Sequence, residues 1–489
     1  MNKIYIYFST VLLVLFAGCT DFLEVSPDNR IEPNSLDKVA EMLVAAYPNG
    51  DYLFTDWMTD DSQFIETNIQ VTRMTDLFKW EEANTDDDNN TVTNYWNESY
   101  KAIAQANAAL VALDEIDDTD VVRKKAIRGE ALACRAYAHF MLVTLFAKEY
   151  DPATAASDPG ITYMDKPETA LLVTYSRNTV KEVYTRIEAD LTEALTLISD
   201  EYYSGSKKYH FTQRAAKAFA CRFYKYKGEF AKSIAFANDI LGTGVVSPSL
   251  IKNYATYDAQ AGSTAKRAFY VSNSDESNIL LIEQKISLGL RHSYGYRTGI
   301  QYWLNVFYSS GPWGGEDRRL STGYYGDGSR NTINMAKFDE EFHKESLTAT
   351  TGEPFFTQAV FRTEEVLLNR AECNLFLGNN DKVLEDLNAF ASFRYDGYTE
   401  VTLADVQDFY SAYIPGISLE DALLNVMIDE RQKEFMQEGM RWFDIKRFGY
   451  SIRHITSLGE TLTLASDDPR KVLQIPSAAI ERGILPNPR

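Results

Sequence analysis

The stretch Glu430–Gly449, ERQKEFMQEGMRWFDIKRFG, concentrates more groups able to do chemistry than any other part of this 489-residue chain. Glu430, Arg431, Lys433, Glu434, Glu438, Arg441, Asp444, Lys446 and Arg447 are interleaved there with Phe435, Trp442, Phe443 and Phe448. Wound into one helix, Leu424, Met427, Ile428, Arg431, Phe435, Glu438 and Trp442 share a face. Glu430–Lys433, Arg431–Glu434 and Glu438–Arg441 are then pairs of opposite sign three residues apart. Charges on a largely apolar face are tolerated only when they pair. The spacing therefore predicts an ion network that locks the last helix onto its neighbours, in preference to a catalytic cluster. Gly439 allows a turn or a close approach.

Other chemistry is sparse. The sequence has no HExxH, no GxSxG elbow, no P-loop and no GxGxxG, and its five histidines (139, 210, 292, 343 and 454) do not cluster. Glycoside hydrolysis needs only two facing carboxylates, but none of the 70 acidic residues forms an evident pair. Glu364 and Glu365 are adjacent on a predicted helix and point apart, one toward the surface and one toward the frame. Asp86–Asp88, in NTDDDNN, could offer oxygens to Ca²⁺. The run lacks the glycine and closing glutamate of an EF-hand, so a solvated loop is expected there. The reading is of a protein that is not an enzyme and needs no cofactor, with Ca²⁺ the one ion considered.

The elements that would position these groups are mostly helical. NYWNESYKAIAQANAALVAL puts Trp96, Tyr100, Ile103, Asn107, Leu110 and Val111 on one face. A second, Ala-rich helix runs from Val122 toward Tyr150, where Ala131, Ala133, Ala136 and Ala138 permit close approach and Pro152 and Pro159 mark its end. A third spans about Val180 to Ile198. Arg214–Leu241 carries Ala216, Ala220, Tyr224, Gly228, Phe230 and Ala235 where a tetratricopeptide-like helix pair wants small and aromatic residues. Thr363–Phe390 repeats the pattern with Ala371, Leu375 and Gly378. Their irregular spacing implies stacked helix pairs that are not a regular solenoid. Between 246 and 362 Gly, Ser, Tyr and Trp rise and the helical period fades, so this part is expected to be loop-rich and functional. The chain is 45% hydrophobic and 13% aromatic, enough for a substantial core. Its formal charge of −21 argues against a nucleic-acid partner.

The N-terminus reads as an address. MNKIYIYFSTVLLVLFAGC has Lys3, an apolar run too short to be a clear membrane span, and small residues before Cys19. LFAGC resembles a bacterial lipobox, with Phe16 where Leu is commoner. The resemblance implies a signal peptide at 1–18, lipidation of Cys19 and a polar tether over 19–35. Asp21 and Glu24 are similar to a thin surface-export patch. The remaining Cys134, Cys221 and Cys373 are odd in number and lack CxxC spacing, so neither a disulfide framework nor a zinc site is expected.

Several segments in order resemble the SusD/RagB family: the ERxxEF helix followed by EGxRWFDxKR, WNESYKAIAQAN, EDRRL with Arg318 in place of Pro, FRTEEVLLNRAECNLFLGN, and VLQIPSAAIERGILPNPR. The resemblance implies a mainly α fold in which tetratricopeptide-like helix pairs support an irregular, loop-rich ligand-binding region with few short strands. It divides the chain into an N-terminal helical part (36–245) and a C-terminal part (246–489). The latter comprises the loop-rich 246–362, a helical 363–448 and a closing 449–489, with 36–489 one compact unit. It also implies a lipid-anchored outer-membrane protein, exposed at the cell surface. Such a protein binds oligosaccharides without cleaving them and passes them to a SusC-like TonB-dependent transporter. A peptide-binding member, a surface glycoside hydrolase and a scaffold that binds only protein are the alternatives. In this reading Glu430–Gly449 is framework and lies in no binding site.

Sugars stack their C–H faces on rings and take hydrogen bonds from flanking polar groups. LFTDWMTDDSQF offers Trp57, Asp60 and Asp61, followed by Arg73 and Trp80. The loop-rich part offers Tyr294, Tyr296, Arg297, Tyr302, Trp303 and Trp313, and RYDGY adds Tyr395. Trp96 and Trp442 are assigned to the core. Trp313, in a Gly-Pro-Trp-Gly-Gly turn, is expected to be hard to bury.

Overall fold

Alanines and long apolar side chains alternate through the middle of one helix, Val121–Phe146, and every residue from Ala131 to Phe146 is buried. That helix is the axis around which the rest packs. The computed structural model describes residues 33–65, 72–168, 173–203, 205, 207–286, 296–309, 311–325 and 331–489. Its framing helices are α1 (Thr72–Phe78), α2 (Val92–Glu115), α3 (Val121–Phe146), α4 (Val180–Leu197), α5 (Gln213–Lys227), α6 (Phe230–Leu241), α7 (Ile300–Phe307), α8 (Thr363–Phe376), α9 (Asn380–Ser392), α10 (Leu403–Ser411), α11 (Leu419–Phe435) and α12 (Arg441–Arg447).

Consecutive helices pair. The axis, α3, lies between α2 and α4, α5 turns back as α6, α8 turns back as α9, and α10 packs on α11. The signals for these ends are local. Thr179 and Glu182 form a capping box at the start of α4. Gly228 closes α5 with φ 79°, a left-handed cap that a residue with Cβ resists. The pairs join sideways, α6 against α8 and α8 against α11, as expected for an irregular stack. Of the predicted face of α2, Trp96, Ile103, Asn107 and Leu110 are buried, but Val111 is exposed. Cys134, Cys221 and Cys373 are free and buried.

Residues 246–362 are less irregular than their composition predicts. The strands are β1 (Gln63–Phe64), β2 (Asn278–Lys285), β3 (Tyr296–Arg297), β4 (Glu316–Asp317), β5 (Gly323–Tyr325), β6 (Ile333–Met335), β7 (Asp339–Lys344), β8 (Gly352–Arg362), β9 (Tyr395–Asp396), β10 (Ile452–Ile455) and β11 (Thr461–Leu464). Strands β2, β8 and β7 form an antiparallel sheet with β8 in the centre, and β1–β3, β4–β9, β5–β6 and β10–β11 are two-stranded. The closing segment folds back on the axis: the Leu473 N–H donates to Leu145 O, and Asn487 Nδ2 to Phe146 O. One apolar core takes residues from both halves of the chain. Among the described residues no helix is long and apolar enough to cross a membrane.

The ion network exists, but its partners are remote. The helix ends at Phe435, and the chain turns through Gln437 (φ 63°) and Gly439 (φ 73°) before α12 begins. Trp442 is therefore not on the helix that carries Arg431 and Phe435. Only Glu430–Lys433, at 3.5 Å, survives of the three local pairs. Arg431 reaches Asp444, Glu434 is shared by Arg362 and Arg394 at 3.0 and 2.7 Å, and Glu438 takes Lys337 and Arg362. Glu430 accepts from Arg319, which also pairs with Asp317. Glu364 and Glu365 are both buried, against the expectation that one is at the surface. Glu364 pairs with Arg394, and Glu365 binds Arg222 through both oxygens. These charges tie α8, α11 and the EDRRL turn into one frame.

Candidate functional site

Residues 53–58, LFTDWM, wind into a 3₁₀ turn that is stapled to the 436–440 turn. Thr55 Oγ1 donates to Gly439 O at 2.9 Å, and Asp56 Oδ1 accepts the Gly439 N–H at 2.9 Å. A Cβ on Gly439 would lie 2.7 Å from the ring of Tyr52, so the approach itself requires glycine. The chain leaves this staple with Asp60 and Asp61 pointing to different partners. Arg441 clamps Asp60 through two bonds of 2.9 and 2.7 Å. Asp61 Oδ1 accepts from Gln432 Nε2 at 2.6 Å and from Tyr302 Oη at 3.1 Å.

The β1–β3 pairing then sets Gln63 opposite Arg297 and Phe64 opposite Tyr296. Gln437 ties the far wall, donating to Thr298 Oγ1 at 3.1 Å and Ile333 O at 2.8 Å. Between these walls is a cavity of about 60 Å³, with Trp57, Asp61, Ser62, Tyr296, Arg297 and Gln437 in its lining. Asp61 is only 3% exposed. Asp61 Oδ2 and Ser62 Oγ are buried with no hydrogen-bond partner among the described residues. Burial raises the Asp61 pKa to about 6, the neighbouring Asp60 adds to the rise, and Arg441 and the two donors oppose it. The cavity thus offers a costly, desolvated acceptor and a hydroxyl to whatever enters. Its volume suits a few waters or a small polar group of a larger ligand.

Beneath it runs a column of rings. Phe64 meets Tyr296 at 5.8 Å, Tyr296 meets Phe78 at 4.5 Å, Phe78 stacks on His454 at 4.1 Å, and His454 stacks on Trp80 at 4.4 Å. The two nitrogens of His454 lie 2.6 Å from Phe78 O and 2.8 Å from Thr59 O, which binds the C-terminal hairpin to the base of the site. Burial lowers the His454 pKa, and both carbonyls pull against it. Trp80 Nε1 donates to Met58 O at 2.9 Å.

The residues singled out in the sequence separate into four groups. Trp57, Asp61 and Tyr296 line the cavity, although Trp57 is 9% and Tyr296 3% exposed and neither presents an open ring face, with Asp60 and Tyr302 fixing its rim. Trp80, Trp303, Trp313 and Tyr395 are buried and offer no face to a ligand, contrary to the expectation for each. Trp80 closes the ring column, and Trp303 packs with Phe307, Ile333, Met335 and Met436. Trp313 is 1% exposed, with its ring stacked on Tyr395 at 5.7 Å and Nε1 donating to Asn388 Oδ1 at 2.8 Å. Tyr395 Oη donates to Glu430 Oε1 at 2.5 Å and so belongs to the ion network. Arg73 Nη1 bridges Asp86 and Asp88 at 2.8 Å each, which puts a guanidinium beside the carboxylates considered for Ca²⁺. Cys19 and Tyr294 lie outside the described residues. Ser62, Asn334, Gln432 and Gln437 were not singled out. The two glutamines are the uncharged polar residues within the framework stretch, which is the one signal that sets them apart. That stretch therefore does reach the candidate site, through Gln432, Gln437 and Arg441.

A helix-pair frame that holds a small polar cavity at the meeting of its N-terminal turn, its loop-rich part and its last helices defines the class of protein. The comparisons give the family. The model described as "Starch-binding associating with outer membrane" matches residues 21–225, and the SusD family model matches 291–460. The chain belongs to the SusD/RagB family. It is 24% identical to SusD-like protein P2 of Formosa agariphila over 503 residues, 91% of each chain. Its fold matches a SusD superfamily protein of Bacteroides thetaiotaomicron with a TM-score of 0.69 at 21% identity, covering 93% of this chain and 100% of that one. A laminarin-binding SusD-like protein matches with a TM-score of 0.61 at 16% identity, covering 94% and 99%.

Proposed function

We propose that this protein is a lipid-anchored, surface-exposed outer-membrane glycan-binding protein. It captures oligosaccharides and hands them, uncleaved, to a SusC-like TonB-dependent transporter. The observation that carries the binding reading is the pair of buried, unpartnered oxygens, Asp61 Oδ2 and Ser62 Oγ, in a cavity that Trp57 and Tyr296 also line. A sugar hydroxyl can donate to the first and bond the second. Membership of the family and the laminarin-binding relative in fold support the choice of ligand class. The nearby carboxylates are already engaged, Asp56 by the Gly439 N–H and Asp60 by Arg441, which supports binding over hydrolysis. The lipobox-like LFAGC supports the anchor.

The test is calorimetric titration of residues 20–489, which retains every described element, against a panel of β-glucan and other oligosaccharides, with product analysis of each mixture. Saturable binding with intact sugar, weakened by Asp61→Asn and by Ser62→Ala, is the expected result. Cleaved sugar would overturn the non-catalytic reading. Binding of peptides alone, or of no ligand until the transporter is present, would overturn the glycan assignment at this cavity.

A further inference from the structure

The solvent face of the three-stranded sheet carries a second constellation, none of whose members lines the cavity. Side chains alternate across a strand, and the register fixes which of them share a face. Glu283 of β2 and Asp339 of β7 both stand opposite Thr357 of the central β8, Glu341 stands opposite Phe355, and His343 opposite Glu353. Glu283, Glu341 and His343 therefore project from one side, two from β7 and one from β2, across β8.

They converge. His343 Nε2 lies 3.3 Å from Glu283 Oε1 and 3.4 Å from Glu341 Oε2. The imidazole is held flat by stacking on Phe355, with centroids 4.5 Å apart. Lys285, on the same face, is taken by Glu353. Among the described residues neither Glu283 nor Glu341 pairs with a lysine or arginine. Two carboxylates thus face one imidazole nitrogen, and the three donor atoms lie within 4.8 Å of one another, close enough to share one ion.

We infer that Glu283, Glu341 and His343 form a binding site for a divalent transition-metal cation of the Zn²⁺ type. One imidazole nitrogen and two carboxylate oxygens are a donor set that such ions accept. An imidazole is a poor donor for Mg²⁺, which prefers oxygen and holds its water. The strand register fixes where the three side chains start, and Phe355 stacking orients the imidazole, so only the glutamate rotamers need ordering when an ion binds. The remaining coordination positions face solvent.

The test is titration of ZnCl₂ into tag-free protein of residues 20–489, alongside His343→Ala, Glu283→Gln and a MgCl₂ control. All three side chains are partly or fully exposed, so the variants should keep the wild-type circular dichroism and melting temperature. One-to-one Zn²⁺ binding that falls at least about tenfold in His343→Ala, and falls also in Glu283→Gln, is expected. Absence of saturable Zn²⁺ binding would overturn the inference. So would binding that both substitutions leave unchanged, or Mg²⁺ binding as tight as Zn²⁺.

Discussion

Asp61→Asn should make this protein more stable and bind its ligand less well. The carboxyl is buried, and its pKa rises from 3.8 to about 6. Each unit corresponds to roughly 1.4 kcal/mol, so keeping Asp61 ionised in the fold costs about 3 kcal/mol. The sign follows from proton uptake. Folded Asp61 holds its proton more tightly than the unfolded carboxyl does. Its penalty is absent below pH ~4, grows through the interval to pH ~6, and is complete above it. Asparagine keeps an oxygen for Gln432 Nε2 and Tyr302 Oη and places an uncharged amide toward the cavity. Urea denaturation at pH 4 and pH 8 measures the effect. Asp61→Asn should gain about 2–3 kcal/mol over wild type at pH 8 and little at pH 4. The same change removes a charged acceptor for a ligand hydroxyl, a loss of roughly 1.5–3 kcal/mol in binding. An Asp61→Asn protein no more stable than wild type at pH 8, or one whose advantage is equal at both pH values, would refute the reasoning.

Three further substitutions test the frame. Trp313→Ala should destabilise by about 3–5 kcal/mol in thermal or chemical unfolding, and the folded fraction should bind ligand with unchanged affinity. Glu434→Ala leaves Arg362 and Arg394 buried without their shared partner and should cost about 3–5 kcal/mol at pH 7. Burial alone would raise the Glu434 pKa, but Arg394 and Arg362 outweigh it and hold the carboxyl well below the usual range. The stability it confers is therefore present above about pH 4.5 and lost on acidification, and the wild-type advantage over Glu434→Ala should shrink at low pH. Gly439→Ala combines a left-handed φ of 73° with a Cβ 2.7 Å from the buried Tyr52 ring. It should cost about 2–4 kcal/mol and weaken ligand binding, because the Asp56 and Thr55 staples end on this residue.

The helical frame was legible because its signals are local. Gly228 and Gly378 stand where helices must turn, and the apolar period of α2 and the Ala-rich core of α3 need no knowledge of distant residues. The charged stretch was legible as framework but not in its pairing. Its spacing offers partners three residues away, whereas burial lets Glu434 and Glu438 find Arg362 of β8, Arg394 just before β9, and Lys337, which no periodicity encodes. The site was legible in part for the same reason. Asp61 stood out as an acid beside a tryptophan, but its role depends on Gln432 and Tyr302, which the fold brings from hundreds of residues away. Trp313 is buried where its sequence neighbours suggest exposure. A ring among glycines suggested a surface turn. Yet a Cβ on Gly311 would sit 3.2 Å from the Trp313 ring, and one on Gly315 would sit 2.1 Å from Asp396 O. The glycines are there because the backbone presses against the ring and the neighbouring strand. Here Gly311 lies against the indole and Gly315 against the strand beside it, so glycines flanking a tryptophan are compatible with a buried ring. Trp57, between Asp56 and the Asp60–Asp61 pair, borders the cavity with 9% of its surface exposed, and Trp313, at 1%, does not.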